Sequence, residues 1–310
     1  MSFYIGIKTN NNVQGSTVMC VILAKWFDGI GWAGAKNRDR KYIPTLDFIE
    51  DEVDGVQRMM MHDQITGYKE GINSYGVSIL NTSLDIGNDE ADVENGKIKS
   101  SPDGKYIAEA LLSKEPLDAV KHLVKRKLVG CTIVFDQKDC YLIEASDQDG
   151  TEPFKFVVKK IPKSKPIVRT NHGIYLPWAS FQRDSNDKQE VLDRISSESR
   201  LLQAEAVAEA AKKPEDLVDG MCQVFLKHPQ LNIMRFSTGK NEFRTTSQQI
   251  CVPKERTLYC RPVSSNLQFD FWKLNKPNTN VWVEILNNRE LWQKTKNKQP
   301  FSNLNMKDVE

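Results

Sequence analysis

Two kinds of hydrophobic pattern follow one another along the chain, and each predicts a different element. From about residue 18 to about residue 83 the pattern is typical of strands, with the runs CVILAKWF and GWAGA on either side of Asp28-Gly29. An Asp-Gly pair between two apolar runs indicates a β-hairpin. The stretch YGVSILNTS, entered through the turn-like GINSYG, indicates a further strand. This part of the chain therefore predicts antiparallel strands.

Helical spacing begins after SPDGK, where Ile107 and Leu111 lie one turn apart, and a second helix is expected to begin at Pro116. Residues 187–227 form another helical block, in which Pro214 is expected to open the second helix. Between and after the blocks, CTIVFDQKDCYLIEA and TTSQQICVPKERTLYCRPV indicate hairpins, and KFVVKKI and PIVRTNHGIYL indicate single strands. Helices segregated from antiparallel hairpins predict an α+β fold rather than a parallel sheet.

Composition narrows the class of protein and its partners. The chain has 310 residues, of which 39% are hydrophobic and 27% charged, as in soluble globular proteins. A formal net charge of +2 without a basic stripe argues against nucleic-acid binding, and no apolar run is long enough for a membrane span. Six cysteines in a chain of this length do not describe a disulfide scaffold, so we expect a reducing, cytoplasmic compartment. The expected partner is a small molecule.

Four of the cysteines form two pairs with the same spacing, Cys131/Cys140 and Cys251/Cys260. A zinc site of four cysteines usually contains CxxC knuckles, and this spacing is absent here. Each pair flanks a predicted hairpin turn, which favours thiols in the core across the hairpins. We therefore predict no metal and no cofactor.

The first hairpin brings Cys20 close to the polar cluster KNRDR at its far end. In an antiparallel hairpin the numbers of paired residues add up to a constant. A two-residue loop at residues 29–30 pairs Cys20 with Asp39, and a loop at residues 28–29 pairs it with Asn37. Directly opposed side chains lie roughly 5 Å apart at Cβ, so either register predicts a thiol beside the cluster. A buried structural cysteine opposite a polar strand end fits the same residues.

A cysteine nucleophile needs a base, and the sequence offers two. Of the four histidines, His172 in RTNHGIY lies beside other polar groups at a strand end, and with Cys20 it would form a papain-like pair. Papain-like enzymes place the cysteine at a helix start, however, whereas Cys20 opens a strand. The other base is the α-amine of Cys20 itself, which removal of residues 1–19 would expose. An α-amine pKa of about 7.7 to 8.0 and a thiol pKa of about 8.5 allow a nearly balanced proton transfer.

The order of motifs after Cys20 resembles the cysteine-type N-terminal-nucleophile hydrolases, the group of choloylglycine hydrolase, penicillin V acylase, acid ceramidase and the isopenicillin-N acyltransferases. That family begins its mature chain with Cys, continues with a hairpin, and then carries Arg-Asn-x-Asp, which here is KNRD. Its Gly-x-Asn-x-x-Gly turn into a strand ending in Leu-Asn is matched by GINSYGVSILN, and its Thr-Asn pair by TNH. A later helix-start Arg is matched by SSESR, and the last hairpin by TTSQQICVPKERTLYC. The matches run in order from Cys20 to about residue 262. The opening also resembles a related group named for Asn-Arg-Asp-Glu, with Arg40 in place of the Glu.

The resemblance implies a fold and a domain organisation. The implied fold is an αββα sandwich of four layers, in which helices flank two antiparallel sheets. The implied organisation is a leader or propeptide at residues 1–19, a catalytic domain at 20–285 and a polar C-terminal extension at 286–310. Homo-oligomers are common among such enzymes, so a homo-oligomer is one expected state.

The resemblance also implies roles for single residues. Cys20 would attack an amide carbonyl and carry the acyl group as a thioester, and Asp39 would orient its amine and thiol. Asn171, together with Asn81, would donate hydrogen bonds to the oxyanion. Arg200 would hold this polar network or a substrate carboxylate.

Three further residues are assigned to substrate binding, namely Lys36, Asn37 and His172. Lys36 stands where most members of the family have Arg, and Lys lacks the bidentate fork of Arg. Either Lys36 faces away from the site or the preferred acyl group differs from that of bile-salt and penicillin substrates.

These residues predict an enzyme, a thiol-dependent amidohydrolase or acyltransferase that acts on C–N amide bonds. Two other classes stay open: a non-catalytic binding or structural protein that retains the fold, and a cysteine peptidase that uses Cys20 and His172. Because Met19 precedes Cys20, the leader could be removed by an autocatalytic N-to-S acyl shift, or translation could begin at Met19 and Met removal could expose Cys20.

Overall fold

The computed structural model describes residues 18–42, 44–84, 102–147, 154–181, 185–223, 226, 228–235 and 242–262. Most of the predicted leader and the whole predicted extension at 286–310 lie outside these residues. The domain boundaries therefore stay predictions. Within the described part, the chain forms two antiparallel sheets and four α-helices.

The strands, in chain order, are β1 (Val18–Phe27), β2 (Gly31–Arg40), β3 (Leu46–Val53), β4 (Val56–Asp63), β5 (Tyr68–Asn73), β6 (Ser78–Thr82), β7 (Gly130–Phe135), β8 (Cys140–Ser146), β9 (Lys155–Lys160), β10 (Ile167–Arg169), β11 (Arg244–Val252) and β12 (Thr257–Pro262). A 5-stranded sheet has the order β10-β1-β2-β11-β12. A 7-stranded sheet contains β3 to β9 in chain order, each strand paired with the next. Short connections join most of these strands, because antiparallel neighbours need only a tight turn, whereas residues 83–129 separate β6 from β7.

The helices are α1 (Asp103–Ala110), α2 (Pro116–Lys125), α3 (Lys188–Ala210) and α4 (Pro214–Gly220). Both α2 and α4 have Pro in the first turn, where its missing N–H costs no hydrogen bond. Helices α1 and α2 pack on the 7-stranded sheet, and α3 and α4 pack on the 5-stranded sheet. No helix in the described ranges combines the length and apolar character that crossing a membrane requires.

Three apolar cores separate four layers. Ile22 and Phe135 belong to the core between the sheets, Val21 and Val207 to the core under α3 and α4, and Ile79 to the core under α1 and α2. Adjacent residues of one strand thus contact different cores, because side chains alternate across a sheet. The predicted αββα sandwich of antiparallel sheets is confirmed. The thiols at 131, 140, 251 and 260 are unpaired and buried between the sheets, as predicted.

Both registers predicted for the first hairpin are wrong. Its loop has three residues, so Phe27 pairs with Gly31, and Cys20 lies opposite Arg38. The φ values of +75° at Gly29 and +97° at Gly31 explain the longer loop, because glycine adopts such values without strain. At Gly31 a Cβ would also collide with the backbone oxygen of Gln137.

This register sorts the residues of β2 between the two faces of the sheet. Since paired residues share a face, Lys36, Arg38 and Arg40 lie on the side of the Cys20 thiol, between the sheets. Asn37 and Asp39 lie on the opposite side, under α3 and α4. The predicted juxtaposition of thiol and Asp39 across one hairpin is therefore wrong.

Two elements are shorter than predicted. Strand β10 ends at Arg169 because the chain then leaves the sheet edge, and the backbone N–H of Asn171 donates to Ser197 Oγ on α3 at 3.0 Å. Helix α4 ends at Gly220, a residue of low helix propensity, rather than near residue 227.

Candidate active site

Side chains replace the missing neighbour strand at Cys20. The pairing of β1 with β10 reaches only Ile22, opposite Arg169. Beyond this point the Cys20 N–H donates to Asn171 Oδ1 at 3.1 Å, and its carbonyl accepts from Arg200 Nη1 at 3.3 Å and from Thr82 Oγ1 at 3.5 Å. All of these groups are buried. The main chain of Cys20 is therefore held by functional groups from β6, the loop after β10, and α3.

The orientation of the Asn171 amide is fixed by its partners. Its Oδ1 accepts from Arg200 Nη2 at 3.1 Å as well as from Cys20, and its Nδ2 donates to Thr82 Oγ1 at 2.9 Å and to the Ser83 carbonyl at 2.8 Å. Because a guanidinium can only donate, the oxygen of the amide must face Arg200 and Cys20. The nitrogen of Cys20 therefore meets an acceptor that is already in place.

The carboxylate of Asp39 is linked to Cys20 through Arg200. On the helix face of β2, Asp39 Oδ2 lies 3.3 Å from Arg200 Nη1 and 3.7 Å from Arg235 Nε, and Oδ1 accepts from Thr245 Oγ1 at 2.8 Å. Burial raises the pKa of Asp39, in opposition to the two guanidinium groups. Burial likewise lowers the pKa of Arg200, against the attraction of Asp39. Asp39 therefore positions Arg200, which in turn holds the Cys20 carbonyl.

The thiol itself faces cations between the sheets. Arg40 Nη1 lies 3.6 Å from Cys20 Sγ, and Lys36 and Arg38 share this face of β2. Two carboxylates of the other sheet face the three cations. Arg40 and Arg38 lie 3.7 Å and 3.9 Å from Asp63 Oδ2, and a second carboxylate, described next, pairs with Lys36 and Arg38. A thiolate formed at Cys20 would therefore have charge-assisted partners.

Glu70 is the centre of this buried charge network. Its carboxylate lies 2.8 Å from Lys36 Nζ and also pairs with Arg38 Nη2. Although burial raises the pKa of Glu70, Lys36 and Arg38 hold it below its usual value. Burial lowers the pKa of Lys36, and Lys36 Nζ additionally donates to the Asn81 carbonyl at 2.6 Å. The Tyr68 ring lies 5.1 Å from Lys36 Nζ and closes the network at one side.

The Asn81 side chain makes its contacts away from Cys20. Its Nδ2 donates to Thr132 Oγ1 at 2.8 Å, and its Oδ1 accepts from the Tyr68 hydroxyl at 2.7 Å. The next residue, Thr82, is the one whose side chain reaches both Cys20 and Asn171. The backbone of Asn81 joins the site, with its carbonyl as an acceptor for Lys36 and its N–H as a donor to Glu70 Oε2 at 3.3 Å.

Asn37 and His172 are not brought to the thiol either. Asn37 Nδ2 donates to the carbonyls of Met221 and Ile233 at 3.0 Å and 2.9 Å, on the opposite face of the sheet. His172 Nδ1 lies 2.9 Å from Ser197 Oγ and 3.2 Å from Thr170 Oγ1. Among the predicted site residues, the structure thus brings together Cys20, Asn171, Arg200 and Asp39, and places Lys36 on the thiol face.

Several residues of the site escaped the sequence analysis, namely Arg38, Arg40, Asp63, Glu70, Thr82, Ser197, Arg235 and Thr245. Arg38 and Arg40 could have been found, because the correct hairpin register places them on the thiol face by alternation. The others come from distant strands and helices. Nothing in their local sequence connects them to Cys20.

The remaining core thiols differ from Cys20 in their surroundings. Burial raises the pKa of the thiols of Cys131, Cys140, Cys251 and Cys260. Such thiols are poor nucleophiles at neutral pH, since the thiolate is the reactive form. Cys20 instead has the guanidinium of Arg40 beside its sulfur.

Comparison with known proteins gives similarity of fold at low sequence identity. No protein-family model matches the chain, and no curated protein matches it at significant similarity. Penicillin V acylase from Agrobacterium tumefaciens matches with a TM-score of 0.49 and 13% identity, over 79% of this chain and 83% of that chain. A mutant of the conjugated bile acid hydrolase from Clostridium perfringens matches with a TM-score of 0.47 and 14% identity, over 79% of this chain and 89% of that chain. At these identities the likeness concerns the fold, and it assigns no substrate to this chain.

Proposed function

We propose that this protein is an amidohydrolase whose nucleophile is the thiol of Cys20, made N-terminal by removal of residues 1–19. The observation that carries the proposal is the side-chain cradle around the Cys20 main chain. Asn171 Oδ1 accepts the N–H of Cys20, and Arg200 and Thr82 hold its carbonyl. An internal strand residue needs only neighbouring backbone for these bonds, whereas a free α-amine needs a fixed acceptor that orients it toward the thiol.

Leader removal follows as an N-to-S acyl shift. Cys20 Sγ attacks the carbonyl carbon of Met19, the C–N bond to Cys20 breaks, and the nitrogen takes the proton of the thiol to become an amine. Water then adds to the thioester carbonyl, and the C–S bond breaks. The products are a leader that ends in the carboxylate of Met19 and a chain that begins with a free thiol and amine.

Turnover of a small-molecule amide repeats this chemistry with the α-amine as the base. The amine takes the thiol proton while Sγ attacks the amide carbon, and it returns that proton to the leaving amine when the C–N bond breaks. Water, activated by the same amine, adds to the thioester and releases the carboxylic acid and the thiol. Attack by an amine in place of water would give acyl transfer.

Three groups of this chain have roles in the proposed reaction. Arg40 holds the thiolate and the developing oxyanion, since its guanidinium is next to the sulfur. Asn171 orients the α-amine through Oδ1, and its Nδ2 serves the oxyanion by exchanging its bond to the Ser83 carbonyl. Arg200 and Asp39 fix the cradle from the helix side. The proposal needs no metal or cofactor and places the reaction in the cytoplasm.

The first experiment is the intact mass of the purified chain beside its Cys20→Ala variant, with Cys222→Ala as the matched control for loss of a buried thiol. We expect wild type and Cys222→Ala to lose residues 1–19, and Cys20→Ala to keep them. Brief treatment with iodoacetamide near neutral pH should add one group, on Cys20. Persistence of cleavage in Cys20→Ala would refute autocatalysis.

One alternative, a non-catalytic protein, fits the burial of Cys20 as well as the proposal does. Cys20 is fully buried in the intact chain, as expected for a precursor and equally for a non-catalytic protein with this fold. A full-length wild-type mass with an unreactive Cys20 would favour the non-catalytic protein. The cysteine-peptidase alternative rests on His172, whose contacts described above are to Ser197 and Thr170.

A further inference from the structure

The side chain of Met19 occupies a closed pocket on the helix face of the first sheet. Met19 is fully buried and packs with Phe181 and Phe243. The opposite wall is polar, because Met19 Sδ lies 3.2 Å from Arg235 Nη1 and 3.9 Å from Arg200 Nη2. Release of the leader would empty this pocket, which adjoins Cys20.

Arg235 is poorly satisfied by what it now contacts. Only 1% of the residue is exposed, its Nε has no hydrogen-bond partner among the described residues, and its Nη1 faces the Met19 thioether. A thioether sulfur is a weak acceptor, and the charged partner of this guanidinium, Asp39 Oδ2, lies 3.7 Å from Nε. Nη2 donates to Ser196 Oγ, which holds the fork in place. The guanidinium of Arg235 is thus directed into the pocket, where its partner is the neutral thioether of Met19.

The described charges around the pocket leave an excess of positive charge. Arg200, Arg235 and Lys41 face the carboxylates of Asp39 and Asp193. Burial raises the pKa of both carboxyl groups, in opposition to the neighbouring guanidinium groups. Burial and the neighbouring Arg200 lower the pKa of Arg235 to about 9, so its guanidinium stays charged at neutral pH.

We infer that the vacated pocket is the subsite for a carboxylate carried on the acyl part of the substrate, and that Arg235 is the residue that selects it. The inference rests on the proposed function, because the leader is the first acyl group on the Cys20 thiol. In the leader thioester, Met19 Sδ is four bonds from the acyl carbon. A glutaryl group places its terminal carboxylate carbon at the same distance, within reach of Arg235 and Arg200. The favoured substrate class is the half-amide of a five-carbon dicarboxylic acid.

The charge preference of the pocket can be measured without catalysis. In the Cys20→Ala background the leader stays attached, so residue 19 remains the occupant. We expect Met19→Glu to have a Tm about 3 °C or more above that of its neutral isostere Met19→Gln at neutral pH, and Met19→Lys to fall below both. Adding Arg235→Gln should reduce the Glu–Gln difference to less than about 1 °C. A Gln variant as stable as the Glu variant would overturn the inference.

Turnover tests the subsite in the processed enzyme. We expect kcat/KM for glutaryl p-nitroanilide to exceed that for its neutral carbamoyl isostere by about tenfold or more, because only the carboxylate satisfies the buried fork. Arg235→Gln should make the two kcat/KM values equal, and Arg235→Lys should retain part of the preference for the glutaryl compound. Arg58→Gln, which removes a guanidinium paired with Asp51 on the other sheet, should leave the ratio unchanged.

The outcomes separate the two proposals. If Met19→Glu is more stable than Met19→Gln but the wild-type chain never loses its leader, the pocket prefers an anion and the proposed function is refuted. Leader removal and hydrolysis of both anilides at equal rates would refute the subsite and leave the proposed function intact.

Discussion

The cradle around Cys20 depends on Arg200, so replacing this residue tests the described geometry directly. Arg200→Met keeps the unbranched stem and nearly the same helix propensity, so α3 itself should not suffer. The change removes donors from the Cys20 carbonyl, Asp39 Oδ2 and Asn171 Oδ1. Each buried hydrogen bond that is lost costs about 1 kcal/mol or more.

The expected loss can be estimated in two ways that agree. Three lost hydrogen bonds from this guanidinium amount to a loss of about 3 kcal/mol. Breaking a buried ion pair by removing one partner costs about 3 to 5 kcal/mol, and the lower end applies because Asp39 keeps Thr245 and Arg235 nearby. For a domain of this size, about 3 kcal/mol corresponds to a fall in Tm of roughly 6 to 12 °C.

The assay is urea denaturation followed by circular dichroism, with both chains in the Cys20→Ala background so that leader removal does not alter the folded state. Arg194→Met on the same helix is the matched control, because Arg194 makes a half-exposed ion pair with Glu198 at 3.7 Å. Such a pair contributes less than about 1 kcal/mol. A loss in Arg200→Met no larger than in Arg194→Met would refute the argument that these hydrogen bonds hold the site together.

Three other changes have defined outcomes. Despite its burial, Glu70 has a pKa held below its usual value of 4.5 by two cations, so its ionised form stabilises the fold above that pH and this stabilisation is lost as the pH falls through the lower folded-state pKa. Glu70→Gln should destabilise the chain by about 3 kcal/mol near neutral pH. In denaturation experiments at several pH values, it should also reduce the loss of stability in acid. Processed His172→Gln should hydrolyse an amide substrate with a kcat/KM within about tenfold of wild type, because the α-amine of Cys20 is the base; a fall of several orders of magnitude would assign that role to His172 instead. Gly71→Ala should lower the free energy of unfolding by at least about 2 kcal/mol because a Cβ there meets the backbone of β4, whereas Gly55→Ala, with open space but positive φ, should cost about 1 kcal/mol; equal losses would contradict the described packing of β4 on β5.

Much of the fold follows from local signals. Alternating and helical periods place the hairpin of Cys20, the helices at Pro116 and Pro214, and the last two hairpins close to where the structure has them. These signals are local because a strand or helix must bury one face at its own period, whichever element covers it. The order of the four layers was implied by the family resemblance, because helices segregated from antiparallel hairpins indicate only an α+β fold.

The site divides differently between sequence and tertiary structure. The sequence motifs identify Cys20, Asp39, Asn171 and Arg200, which the structure brings into one buried network. They mislead at Asn37, because one additional loop residue shifts the hairpin register and turns alternate side chains to the opposite face.

Only the tertiary structure decides what surrounds the thiol and the residue before it. Glu70 comes from the other sheet and Arg235 from the segment before β11, and no periodicity links either residue to Cys20. Burial makes these contacts specific, because a charge that is removed from water is costly unless a partner of opposite charge lies beside it in the folded chain. The sequence by itself therefore determined the pattern of strands and helices and singled out Cys20, and the packing of distant elements determined the charge network and the pocket of Met19.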